Sequence, residues 1–148
     1  MSLLGAADQQ KLRDAFAAMQ RPVRLRFFTQ TIGCETCAQT KQILDELPPL
    51  SDKVSIEEVN FVLDKDQAAQ YGIDRVPAIA VVGQNESGEW TDSRIRFLGA
   101  PAGYEFVSLV HAALLVGGGR ESTLTPASLA RLSAVDKPIT MQVFTTPT

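Results

Sequence analysis

Val23-Arg24-Leu25-Arg26-Phe27-Phe28-Thr29-Gln30-Thr31-Ile32-Gly33-Cys34-Glu35-Thr36-Cys37 is the stretch that decides the fold. Its first six residues alternate and then turn wholly apolar, as a strand does when it passes from a half-exposed to a buried part of a sheet. A short polar loop follows. From Glu35 to Leu47, Ile43, Leu44 and Leu47 recur among Gln39, Lys41, Asp45 and Glu46, which predicts a helix that Pro48-Pro49 stops. The only two cysteines of the chain therefore sit in a C-x-x-C between a buried strand and the start of a helix.

The rest of the sequence supplies a sheet around that unit. Asp8 to Met19 places Leu12, Ala15, Phe16 and Met19 at helical spacing. Val54 to Phe61 reads as a second strand, Lys65 to Tyr71 as a short helix capped by Gly72, and Pro77 to Val82 as an apolar central strand. The polar run Gly83 to Glu89 predicts a hairpin connection returning as Arg94 to Leu98, and a helix follows from Tyr104 to Val116. One helix followed by β-α-β-α-β-β-α predicts an α/β domain with a mixed central sheet. The length of 148 residues allows one such core and some remainder.

The remainder begins at Gly117-Gly118-Gly119, expected as a flexible break that ends a first domain over 1–118. Residues 119–137 read as a linker and a helix opened by Thr125-Pro126. Pro138 to Thr145 then repeats the pattern of Pro22 to Thr29 at an offset of 116 residues. Residues 138–148 are accordingly expected to be the first strand of a truncated second domain of the same kind.

Composition narrows the function. A net charge of -3 with interspersed signs gives no basic stripe for nucleic acid. Phe106 to Val116, broken by Ser108 and His111, is too short for a bilayer core of about 30 Å. Met1 to Ala7 lacks the charge and apolar run of a secretory leader. A soluble, cytoplasmic protein without nucleic-acid or membrane partners is expected. Two cysteines three residues apart close too short a loop to staple a secreted domain, so they point to chemistry.

That chemistry is dithiol/disulfide exchange. The spacing brings both sulfurs within disulfide reach, with Cβ atoms about 3.5–4.5 Å apart. A helix N-terminus offers free N–H groups and partial positive charge, which lower a cysteine pKa from about 8.5 to about 3.5–7.5. Cys34 is expected to be the exposed nucleophile and Cys37 the resolving thiol, with Glu35 and Thr36 tuning the couple. Val76-Pro77, at the entrance to the central strand, is expected to be cis, to lie against the disulfide and to offer the Val76 backbone to an incoming peptide. No bound cofactor is needed beyond the Cys34–Cys37 disulfide. The alternatives are half of a zinc site completed by His111 and carboxylates, a cluster shared between two chains, and a pair of inert buried thiols. Trp90, His111, Lys41 and Tyr71 are expected to be structural or surface residues.

Gly33-Cys34-Glu35-Thr36-Cys37, Arg75-Val76-Pro77-Ala78 and Phe97-Leu98-Gly99-Ala100-Pro101-Ala102-Gly103-Tyr104-Glu105-Phe106 together resemble the N-terminal half of the protein disulfide oxidoreductases, or glutaredoxin-like proteins, of thermophilic archaea and bacteria. The resemblance covers essentially the whole chain. It implies a thioredoxin-like fold with an extra N-terminal helix, one of two tandem units each with a C-x-x-C, and Cys34, Cys37 and Pro77 as active-site residues. It also implies protein disulfide substrates, reduced or isomerised, and electrons from a flavin-dependent disulfide reductase. No tryptophan precedes Cys34, and Arg24 and Arg26 stand where thioredoxin's buried aspartate is sought, so no proton acceptor for Cys37 is assigned. The chain also resembles the paired thioredoxin folds of alkyl hydroperoxide reductase flavoproteins, which implies a rival role as an electron relay or docking module for one dedicated partner such as a peroxidase.

Overall fold

The computed structural model describes residues 2–146. Helix α1 (Ala6–Ala17) leads into strand β1 (Val23–Thr29), followed by α2 (Cys37–Asp45), β2 (Val54–Asn60), α3 (Lys65–Gln70), β3 (Ala78–Gln84), β4 (Trp90–Leu98), α4 (Tyr104–Val116) and α5 (Pro126–Ser133). The sheet order is β2-β1-β3-β4, with β1 parallel to β2 and antiparallel to β3, and β3 antiparallel to β4. The mixed α/β sheet is the one the element order predicts.

The two-residue period of β1 divides the core in two. Val23, Leu25 and Phe27 face one side, where they meet Phe16 of α1, Leu44 of α2 and Leu109 of α4. Phe28 faces the other side with Val59, Ala78, Ala80 and Ala68 of α3. Because α3 is only six residues long, it covers one end of its face. The rest carries a lattice of side chains instead: Arg24 lies 4.1 Å over the Trp90 ring, Arg26 bonds Glu57 at 2.9 Å and Gln67, and Arg96 forks onto Asp92 at 2.6 and 2.8 Å. Arg96 lowers the Asp92 carboxyl below its usual range by bonding its ionised form.

Among the boundaries that differ from the sequence reading, the starts of α2 and β4 differ most in consequence. Helix α2 begins at Cys37 rather than Glu35, because Thr36 is the residue whose carbonyl accepts the first helical bond, from Thr40 N–H at 2.9 Å. Strand β4 starts at Trp90 rather than Arg94. Its polar first half hides the alternation, and an irregularity opposite Val81 places Arg94 at φ 65°. Asp92 stabilises that conformation by accepting the Arg94 N–H at 2.9 Å.

The triglycine is a docked element, which corrects the expectation of a flexible break. Gln20 and Arg21 N–H both donate to the Gly117 carbonyl, at 2.8 and 2.9 Å, and Gly119 N–H donates to Leu114. A Cβ on Gly117 would stand 2.4 Å from Met19 Cε and 3.1 Å from the Arg21 and Ala113 carbonyl oxygens. Backbone approach this close favours glycine, because any Cβ makes Met19 and the two carbonyls give way. Gly117→Val is expected to destabilise the fold by about 1–3 kcal/mol through overpacking, read from denaturant midpoints.

Beyond the triglycine, α5 opens on Thr125, whose hydroxyl accepts the Ser128 N–H. Pro138 to Thr146 carries no regular structure and is exposed. The final two residues of the expected strand lie outside the described residues. No helix among them is long and apolar enough to cross a membrane.

Candidate functional site

Strand β1 delivers the redox loop to one end of the sheet. Gly33, at φ 75°, turns the chain into Cys34, and Cys34 is joined to Cys37 by a disulfide with a Cα separation of 5.5 Å. The two sulfur-bearing residues are unequal: Cys37 is 4% exposed, whereas Cys34 is half-buried and precedes the helix. Glu35 and Thr36 are exposed. The N–H groups of the first turn of α2 have no intrahelical acceptor, so the disulfide sits at the positive end of the helix. Upon reduction that setting favours thiolate over thiol.

Other segments converge on this end of the sheet. Phe28 of β1 pairs with Ala78 of β3, which places Pro77 across from the end of β1, and the Val76–Pro77 peptide bond is cis. The loop after β4 is tied to it, since Gly99 N–H donates to the Pro77 carbonyl at 2.9 Å. After β2, Phe61 N–H donates to the Thr29 carbonyl at 2.9 Å, and Asn60 Oδ1 accepts from Val62 and Leu63 N–H at 3.0 Å each. These turns present large apolar side chains to solvent: Ile32 is 87% exposed and Leu63 79%, with Val62, Leu98 and Tyr104 also exposed. Sequence patterning did not single them out, because apolar residues in loops carry no periodicity. Their only signal was position, beside the cysteines and at the ends of strands.

The charged side chains of β1 and of α2 beyond Cys37 are paired with one another or with β2. Lys41, one helical turn after Cys37, is paired with Glu58 and with Asp45 at 3.4 Å, and these bonds raise its pKa above the ordinary lysine value. Arg24 and Arg26 lie on the α3 face with Glu57. Tyr71, expected to be a helix-ending residue, is the hub of that face: its ring lies 5.8 Å from Phe28, 4.8 Å from the Arg26 guanidinium and 5.2 Å from that of Arg96. The signal for it was the placement of Arg24, Arg26 and Arg96 at alternate positions of two strands. His111 is exposed on α4. Among the described residues no group of three or more His, Cys, Asp or Glu is placed to hold a metal ion.

No protein-family model matches the chain. It is 29% identical to a probable thioredoxin of Methanothermobacter thermautotrophicus over 90 residues, which are 60% of this chain and 93% of that protein. Among solved structures, the alkylhydroperoxide reductase protein AhpF of Enterococcus faecalis superposes with a TM-score of 0.76 at 26% identity, covering 90% of this chain and 62% of that one. A protein disulfide oxidoreductase from Aeropyrum pernix superposes with a TM-score of 0.71 at 25% identity, covering 88% of this chain and 54% of that one. The chain thus spans little more than half the length of these two solved chains.

Proposed function

We propose, with a thioredoxin-like thiol-disulfide oxidoreductase as the premise, that this chain exchanges dithiol for disulfide on polypeptide substrates, with Cys34 attacking and Cys37 resolving. The observation that carries the division of roles is the unequal exposure of the two cysteine residues. In the reducing direction the Cys34 thiolate attacks one sulfur of a substrate disulfide. A mixed disulfide forms, and the other substrate sulfur leaves as thiolate and takes a proton from solvent. The Cys37 thiolate then attacks Cys34 Sγ, closing the internal disulfide and releasing the second substrate thiolate, so that two electrons and two protons reach the substrate.

The apolar rim of Ile32, Val62, Leu63 and Tyr104 supports a polypeptide substrate, because contact with it removes apolar surface from water. Val76 and Pro77 present backbone to that substrate, and Glu35 and Thr36 tune the couple. The electron donor is a flavin-dependent disulfide reductase and the setting the cytoplasm, where a reducing pool favours the reductase or isomerase direction. The AhpF likeness favours a second reading, in which the chain relays electrons to one dedicated partner, a peroxidase or flavin-dependent reductase. Reduction of many unrelated substrates, insulin included, distinguishes the first reading from the second.

The tail is read as the first helix and strand of a second unit. The residues 116 positions on from buried Phe16, Met19, Val23, Leu25, Phe27 and Phe28 are Leu132, Val135, Ile139, Met141, Val143 and Phe144, all apolar and all exposed.

The test is the equilibrium reduction potential of the Cys34–Cys37 couple in glutathione or dithiothreitol buffers, read by alkylation and mass. A two-electron couple between about -270 and about -180 mV is expected. Failure to form the internal disulfide at any poise overturns the redox reading.

A further inference from the structure

We propose that a cavity of about 370 Å³ alongside α2 is a specificity pocket of the redox site, which takes one bulky apolar side chain of a polypeptide substrate a few residues from its cystine. The proposal rests on the exchange reading above and adds a substrate preference to it. The volume falls within the range of small-ligand sites, about 300–1,000 Å³, and holds a leucine or phenylalanine side chain with room to spare.

Position makes it part of the same site. One wall is α2, from Gln39 to Glu46, the helix whose first residue is Cys37. At about 1.5 Å of rise per residue the cavity runs from about 3 to about 14 Å along the helix beyond Cys37. The facing wall is Pro101 to Gly103, the continuation of the loop whose Gly99 N–H binds the Pro77 carbonyl. The cavity is therefore bordered by α2, which begins at Cys37, and by the chain that follows the Pro77-bound Gly99. An extended peptide advances about 3.3 Å per residue, so a side chain two to four positions from the reacting sulfur reaches it.

Chemistry selects the occupant. Ile43 and Phe106 supply apolar walls from two helices, and Leu4 adds a third. The exposed amides of Gln39 and Gln42 stand at the opening, where they hydrogen-bond a peptide backbone without imposing charge. The far end is closed by the N-terminal segment, held by one carboxylate: Glu46 accepts the Leu3 N–H at 2.8 Å and the Ser2 hydroxyl at 2.5 Å. An ionised Glu46 at the closed end disfavours an acidic side chain, while a neutral apolar one gains burial on three sides.

The experiment uses the full chain, pre-reduced with dithiothreitol that is then removed. Synthetic peptides carry one cysteine as a mixed disulfide with 5-thio-2-nitrobenzoate and either Leu, Ser or Asp at each position two to four residues on both sides. The coloured thiol released gives the second-order rate constant. Leu is expected to exceed Ser by about 10- to 100-fold at one of these positions, with Asp slowest. Gln42→Trp, which lays an indole across the opening from an exposed helix position, is expected to bring the Leu-to-Ser ratio close to one. Equal rates along the series, or a preference that survives Gln42→Trp, overturn the pocket while leaving exchange intact. Failure to reduce any peptide overturns the exchange reading and the pocket together.

Discussion

Cys34→Ser is expected to abolish exchange, with a loss of at least about 10³-fold in the rate of disulfide reduction, whereas Cys37→Ser retains the first step and accumulates mixed disulfides. The asymmetry follows from placement. Cys34 lies before α2 and is half-buried, so its sulfur can meet a substrate, while Cys37 is 4% exposed and can meet only a sulfur already attached to Cys34. Removing the second leaves the covalent intermediate without its intramolecular nucleophile, which otherwise acts at an effective concentration far above that of any thiol in solution. The measurement is mass spectrometry of each variant after incubation with a disulfide-bonded protein. A covalent adduct on the Cys37→Ser chain alone is the expected result. Adducts of equal yield on both variants, or equal alkylation of both lone thiols at neutral pH, would refute the assigned roles.

Phe27→Ala is expected to cost about 3–5 kcal/mol, among the largest effects of a single substitution away from the cysteines. Phe27 is fully buried in the middle of β1, pairs with Glu58 on one side and Ile79 on the other, and belongs to the core that unites α1, α2 and α4. The neighbouring strands are fixed by their ladders, so they collapse only partly into the space left by the ring, and a cavity term adds to the lost transfer free energy. A domain of this size has about 5–15 kcal/mol in total. The variant is accordingly expected to lose a large share of its urea midpoint with little change in slope. A shift below about 1 kcal/mol would show that these helices are not anchored on this ring.

The elements most legible in the sequence were those with a strong period or a hard stop. Strand β1 alternates, α2 ends at Asp45 just short of the predicted stop at Pro48, and the apolar run of α4 begins and ends at Tyr104 and Val116 as the sequence predicts. The redox pair was legible because Cys34 and Cys37 stand together between a buried strand and a helix start. What escaped lies where side chains act across the sheet. The extension of β4 back to Trp90 was hidden because Thr91, Asp92 and Ser93 are polar on both faces of an edge strand that is only half covered. Tyr71 escaped because its partners Arg26, Phe28 and Arg96 are remote in sequence. The triglycine misled for a different reason: glycine marks both mobile chain and chain packed too closely for any Cβ, and only Met19 and Arg21 across the contact tell the two apart.

That contact also gives the molecule two poles. Gly117 to Gly119 are clamped at the start of β1, while the disulfide loop leaves from its other end, seven residues and about 20 Å away. The segment after Gly119 therefore leaves the domain at the pole remote from the sulfurs.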